Sequence, residues 1–254
     1  MDINNQYGAL EAQEKLLDLL KAFHSFCKAN DIKYSLDCGS LLGAVRHKGF
    51  IPWDDDLDIM VDRQNFAKII LRIKENDILT IDDESPETIW VKRIRFANRN
   101  STDSFLPTID MFVMDYASNN KYMRKLMTFL VLFMQGMIKV SPNFRKGNVI
   151  LRFCTVITYC LGKLISRNTK LKWYDSLALW YADKRDHHFT CYFEEYNYLG
   201  RYFRSDLFEN ISEVEFEDTE VYVVKECHEF LRIQYGPDYM TPPQMSERTL
   251  RHQS

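Results

Sequence analysis

The chain has 254 residues, of which 46% are hydrophobic and 27% charged. That length allows one large domain or two small ones, and that composition supplies a core and excludes wholesale disorder. A formal net charge of −3, from 33 basic and 36 acidic side chains, lacks the basic excess of a general nucleic-acid binder, so no nucleic-acid polymer is expected as partner.

The opening residues are polar, and Sec export is not expected. Residues 9–29 read as an amphipathic helix, with Leu10, Leu16, Leu17, Leu20, Phe23, Phe26 and Cys27 at helical spacing. Lys33 to Cys38 alternates like a short strand. Gly39-Ser40 turns into a short helix, Leu41 to Val45, and Pro52 excludes a helix interior around it. Leu57 to Val61 reads as a strand and Arg63 to Glu75 as a helix. Residues 78–81, 89–96 and 108–114 are further strand candidates, with Asp115 assigned to a turn at the last one's end.

The middle of the chain has a different composition. Between Asp115 and Asp175 there is no acidic residue, against eleven basic ones, which leaves −14 on the rest of the chain. Two apolar runs lie in this block, 126–140 and 149–165, separated by the turn signal Ser141-Pro142-Asn143. Neither is an uninterrupted apolar stretch of membrane-spanning length. Two such runs flanked only by positive charge suit a helical hairpin resting on an anionic leaflet. The competing reading is a buried helical pair whose basic side chains reach out to water.

The last third is acidic and aromatic. Residues 193–196 and 213–220 read as surface or strand-and-turn segments, and 224–234 as a helix. Six cysteines, without a CxxC pair, imply reduced thiols rather than a disulfide framework or a zinc site.

The strongest chemical signal is Pro52-Trp53-Asp54-Asp55-Asp56-Leu57-Asp58-Ile59. Four carboxylates in five positions repel one another and resist ionisation unless a cation joins them. On a strand Asp56 and Asp58 share a face, with Cα atoms roughly 7 Å apart. They present oxygen ligands to a hard cation while Leu57 and Ile59 face the core. A solvated acidic loop and a structural metal are the rival readings. A calcium loop of EF-hand type fails, because Ile59 and Asn65 stand where it needs Gly and Glu. Asp110, interrupting the apolar strand Thr108 to Met114, is the expected third ligand; the alternative is an ion pair with Lys92 or Arg95. Gly39 and Ser40, ahead of a helix, permit close approach of a phosphate, and Arg46, His47 and Lys48 follow as candidate anion contacts.

The run GSLLGAVRHKGFIPWDDDLDI (Gly39 to Ile59) closely resembles the signature of the LicD family of phosphotransferases, which includes the fukutin-related proteins. Ile109 to Asp115, Phe216-Glu217 and Tyr235 to Pro243 are similar to its later motifs, and Arg248 and His252 to a basic pair beyond them. The resemblance implies an α/β (α+β) fold with a mixed sheet and a polymerase-β-like nucleotidyltransferase core. It implies Asp56, Asp58 and Asp110 as catalytic residues, with Mg²⁺ or Mn²⁺ on Asp54, Asp56, Asp58 and Asp110. Gly39, Ser40, Arg46, His47, Lys48 and Trp53 are the implied substrate contacts. The implied reaction moves a phospho-alcohol of phosphocholine type from a CDP-linked alcohol to a glycan hydroxyl, on a free or lipid-linked acceptor, and releases CMP. Transfer of NMP from NTP, and a non-catalytic membrane scaffold, are the other readings. The expected divisions are a catalytic core at 1–116, a helical insertion at 117–175 and a C-terminal lobe at 176–254. The expected location is cytoplasmic, peripheral on the inner face of a bacterial membrane. Trp173, Tyr174, Trp180, Tyr181, Tyr192 and Phe193 supply aromatics for a choline cage, although such a stripe is more often core.

Overall fold

The computed structural model describes residues 7–82, 91–98, 105–140, 142–144, 148–181, 188–192 and 199–248. The fold is mixed α/β. Contacts divide the chain into two compact units: Met1–Glu84 with Val91–Met114 and Asp206–Ser254, and Ser85–Trp90 with Asp115–Ser205.

The first unit is built on a mixed sheet. Helix α1 (Leu10–Ala29) buries Leu16, Leu19, Leu20, Phe23, Phe26 and Cys27, the stripe its spacing predicts, with Leu19 in place of Leu17. Strand β1 (Ser35–Leu36) leads into helix α2 (Cys38–His47), and strand β2 (Asp58–Asp62) into helix α3 (Arg63–Arg72). Helix α2 starts three residues earlier than expected. Asp37 is its N-cap and accepts the Cys38 N–H, so Gly39 and Ser40 form its first turn. Strands β3 (Leu79–Asp82), β4 (Lys92–Phe96) and β5 (Ile109–Ala117) complete the order β1-β2-β5-β4-β3. β2 and β5 are parallel, with Asp58 beside Asp110, and the other neighbours on this path are antiparallel. The segment 213–220 runs from β8 (Ile211–Phe216) through a turn at Glu217-Asp218 into β9 (Thr219–Val224), whose end meets β1 where the Val224 N–H donates to Ser35 Oγ. Helix α7 (Cys227–Tyr235) follows; Val224, expected to open it, belongs to β9.

The hairpin locks the turn that presents the acidic motif. Lys48 and Glu217 both have positive φ, at 58° and 53°. The Glu217 N–H donates to the Lys48 carbonyl, and the Phe50 N–H donates to Glu217 Oε1. A Cβ on Gly49 would run into that carboxylate, and one on Gly43 into the Gly49 carbonyl, so both positions need glycine. Phe50 and Phe216 stack edge to face at 4.9 Å, which seals the clamp.

The second unit holds α4 (Lys121–Ile138), α5 (Val149–Lys163) and α6 (Arg167–Ala178), followed by β6 (His188–Cys191) and β7 (Phe203–Arg204). β6 pairs with β5 and β7 with β6. Asp115 is no turn residue: β5 runs on to Ala117, and Asp115 is buried within it. The C-terminal ends of α4 and α5 converge on small residues. A Cβ on Gly136 would strike Thr158, and one on Gly162 the Met137 carbonyl. The buried Lys170 ammonium donates to two carbonyls there, Met137 O at 3.0 Å and Gly162 O at 2.7 Å. Its charge opposes the negative ends of two helix dipoles. Tyr174 and Tyr192 are buried, and Tyr174 Oη donates to the Tyr192 carbonyl. Trp173 and Trp180 are exposed, while Phe193 and the Tyr181 side chain lie outside the described residues. The aromatic set is therefore divided between core and surface. Residues 193–196 and His252 also lie outside the described residues.

Gly162→Val inserts a branched side chain where the Met137 backbone stands. Overpacking of this kind costs about 1–3 kcal/mol. Urea denaturation should show a lower midpoint with secondary structure retained.

Candidate active site

The acidic motif is held from three sides. Gln13 Nε2 donates to the carbonyls of Ile51 (3.0 Å) and Asp54 (2.8 Å), which ties the approach loop to α1. The Asp58 N–H donates to Ser40 Oγ at 2.9 Å, and the Asp37 N–H donates to the Asp58 carbonyl. Asp54 places its carboxylate where a Cβ on Gly39 would stand. Sequence reasoning assigns Gly39 and Ser40 to a phosphate; the groups they meet in the structure are Asp54 and Asp58. The glycine makes room for the acidic loop, and the hydroxyl fixes the start of β2.

Strand β2 begins at Asp58, so Asp56 sits on the extended approach rather than in the strand itself. The alternation still holds. Leu57 and Ile59 are buried, while Asp56 and Asp58 are partly open on the opposite side. Burial, then the charge of Asp56, then those of Asp110, Asp37 and Asp54, push the Asp58 carboxyl well above the ordinary carboxylate range. Asp110 is thus close enough to act on Asp58, as the parallel register requires.

Asp110 has a cationic partner. Arg93 Nε donates to Asp110 Oδ1 at 2.8 Å and Nη2 to Oδ2 at 3.3 Å. The pairing expected for this carboxylate as the alternative to a metal named Lys92 or Arg95. The antiparallel register instead sets Arg93 opposite Asp110 and Lys92 opposite Met111, while Arg95 faces Asp82 at 3.7 Å. Among the described residues no group of three His, Cys, Asp or Glu side chains is set to hold an ion as it stands. The donor set nonetheless fits a divalent cation in its chemistry: oxygen ligands only, with Asp58 under the field of four further carboxylates. Asp56 and Asp58 are the residues that would hold it, with Asp54 adjacent, while Asp110 is held by Arg93.

A basic and aromatic cluster gathers on Trp53, next to Asp54, whose charge acts on Arg46. Arg248 stacks on the Trp53 ring with its guanidinium carbon 4.6 Å from the centroid, and Arg46 approaches the same ring at 6.0 Å. His47 and Tyr7 meet Trp53 edge-on at 6.3 and 5.7 Å. Arg46 Nε donates to His47 Nε2, and Nη1 donates to the Tyr239 carbonyl. Burial and then the charge of Arg248 lower the Arg46 pKa, and burial and then Arg46 lower that of His47. Two guanidinium groups that repel each other at one half-buried ring make a place for an anion. Lys48 turns elsewhere; it is exposed and pairs with Glu215 at 3.0 Å.

Residues 31–137 match the family model described as LicD/FKTN/FKRP, nucleotidyltransferase domain. This stretch is similar to a LicD-type domain. The lipopolysaccharide cholinephosphotransferase LicD of Haemophilus influenzae is 47% identical over 60 residues, which cover 24% of this chain and 23% of that protein. An uncharacterized protein of Rickettsia typhi is 44% identical over 86 residues, 30% of this chain and 28% of the relative. One of Rickettsia prowazekii is 57% identical over 44 residues, 17% of this chain and 16% of the relative. The matches thus span between 16% and 28% of these relatives' length.

Several residues of the LicD-type domain and its surroundings escape a reading by motif. Asp37 is buried, caps α2 and accepts from Gln234 Nε2 at 2.7 Å. Its position just before Cys38-Gly39 is the one signal, that of an N-cap. Tyr235 follows Gln234. Burial, then Cys38, Asp37, Asp58 and Asp54 push its hydroxyl pKa up, which places it in the field of the carboxylates. Gln13 and Arg93 carry no local signal, since their partners are fixed by packing and register.

The strain at Asp58 yields a prediction. A carboxyl whose folded pKa is raised favours the folded state below its unfolded pKa, and that contribution is lost as pH rises through the folded value. Without divalent cations, Asp58→Asn should therefore raise the melting temperature at pH 7 by a few degrees, with little change near pH 4. Differential scanning calorimetry at the two pH values checks this. Equal melting temperatures for variant and parent at pH 7 would contradict it.

Proposed function

We propose that this protein is a metal-dependent phosphotransferase. It moves a phospho-alcohol, of phosphocholine type, from a CDP-activated donor to a hydroxyl of a cell-surface glycan or its lipid-linked precursor, and CMP leaves. The observation that carries the reading is an acidic and a basic cluster that both involve the Trp53-Asp54 step. Carboxylates, Asp54 among them, act on Asp58, and two guanidinium groups meet at Trp53. A diphosphate needs both, a cation bound by the first and positive side chains from the second. The name of the Haemophilus relative supports phosphocholine as cargo and lipopolysaccharide as the acceptor class.

In this mechanism Arg46 and Arg248 hold the donor's diphosphate, and Trp53 keeps both guanidinium planes in place. His47, neutral because its pKa is lowered, accepts from Arg46 and orients it. The Gln13 and Ser40 contacts keep Asp56 and Asp58 fixed while the negative donor enters. Mg²⁺ or Mn²⁺ on Asp56 and Asp58, when bound, supplies the positive charge that draws electrons from phosphorus and stabilises the departing oxygen. The glycan hydroxyl attacks the phosphorus carrying the alcohol, the bond from that phosphorus to the CMP oxygen breaks, and the hydroxyl proton passes to Asp110. Arg93 holds Asp110 in position for that transfer.

The matched family's nucleotidyltransferase domain favours one second reading, transfer of NMP from NTP. Products separate the two. With Mg²⁺ and a panel of CDP-linked alcohols, the full chain should liberate CMP, with CDP-choline among the donors turned over. Pyrophosphate released from NTP, and no CMP from any CDP-alcohol, would establish the second reading instead.

Two variants follow from the assignment. Asp58→Ala should lower turnover on the order of 10³-fold or more while the circular dichroism spectrum is unchanged. Arg248→Ala should raise the donor KM about tenfold with a smaller effect on kcat, since it removes one charge-assisted contact.

A further inference from the structure

Helix α5 is apolar around nearly its whole circumference, yet Thr158 and Gly162 are its buried residues. It touches α4 through that short stripe of small side chains, against Gly136 and Met137. Val149 is 78% exposed, Ile150 74%, Phe153 66% and, just past the helix, Leu164 83%. A helix that is hydrophobic all round belongs in an apolar medium. No single helix among the described residues is long and apolar enough to cross a membrane; α5 and α6 together have the length and composition but bend by 117° between them. That bend suits a pair of helices lying along a surface.

The charge on this unit selects the surface. The sequence from 116 to 174 holds eleven Lys or Arg and no Asp or Glu. Arg152 and Lys163 sit on the exposed part of α5 itself, and Arg167 and Lys172 follow on α6. Association of two copies through α5 would bring these like charges together. An anionic bilayer accepts both features, burying Phe153 and Ile157 among acyl chains and neutralising the basic residues with headgroup phosphates.

We infer that the α5 face, with its flanking basic residues, is a docking surface for an anionic lipid bilayer. This inference rests on the second unit alone and is independent of the reaction proposed above. Full-length protein should float with vesicles of phosphatidylcholine containing about 30% phosphatidylglycerol at least about tenfold better than with phosphatidylcholine alone, and about 0.5 M NaCl should reduce that binding severalfold. Phe153→Glu with Ile157→Glu should abolish flotation, and Lys163→Glu with Arg167→Glu should weaken it. Both pairs alter exposed side chains, and circular dichroism monitors their folding. CMP release from soluble CDP-alcohols should be unchanged in either variant. Binding that ignores lipid charge, no binding to either vesicle, or a concentration-dependent dimer dissolved by the Phe153/Ile157 pair would overturn the inference.

Discussion

Carboxylates that repel one another are gathered around Asp58, and the first unit is arranged to tolerate them. Asp56 arrives from the approach loop, Asp110 from the parallel neighbour β5, Asp54 from beside Gly39, and Asp37 from the cap of α2. Packing against water-poor surroundings raises the cost of each charge. The neutral side chains of Gln13, Ser40 and Gln234 hold the backbone or the capping carboxylate without bringing positive charge. Arg93 supplies positive charge at Asp110, and Arg46 lies in the field of Asp54. Like charge strains the arrangement, and strain of this kind suits the cation site proposed above.

That constraint explains the unusual glycines and turns nearby. Lys48 and Glu217 take left-handed conformations so that the chain can reverse ahead of the acidic loop, and Glu217 caps Phe50 where a side chain on Gly49 would intrude. The Phe-Glu motif therefore acts far along the chain from where it is written. It is a structural clamp on the turn that delivers Trp53 and the carboxylates. Trp53 in turn brings together Arg46 and Arg248, so the same loop shapes both the acidic and the basic halves of the site.

Local patterns in the sequence carry the first unit well. The α1 stripe, the Leu57/Ile59 alternation, the Asp cluster and the apolar strand around Asp110 each depend on neighbours within a few residues. What they leave open depends on register and long-range packing. Arg93 rather than Lys92 or Arg95 meets Asp110 because of how β4 pairs with β5. Asp115 looks like the end of a strand but lies inside one, since β5 continues and pairs with β6. Gly39 and Ser40 lie inside the first turn of α2 because Asp37 caps it, a boundary that the glycine and serine alone do not mark. In the second unit the two apolar runs are visible as α4 and α5. That α5 keeps its apolar side chains outward is a tertiary fact, which follows from Gly136, Thr158 and Gly162 permitting only a narrow contact.

The central claim is that Asp58 is held in a negative field relieved by a divalent cation, and its own titration tests this most directly. In ¹³C NMR of aspartate-labelled protein, assigned by comparison with Asp58→Asn, the cation-free carboxyl should titrate well above the ordinary value of about 4. Saturating Mg²⁺ should bring that titration below the ordinary value. A carboxyl that titrates near 4 in both conditions would contradict the account.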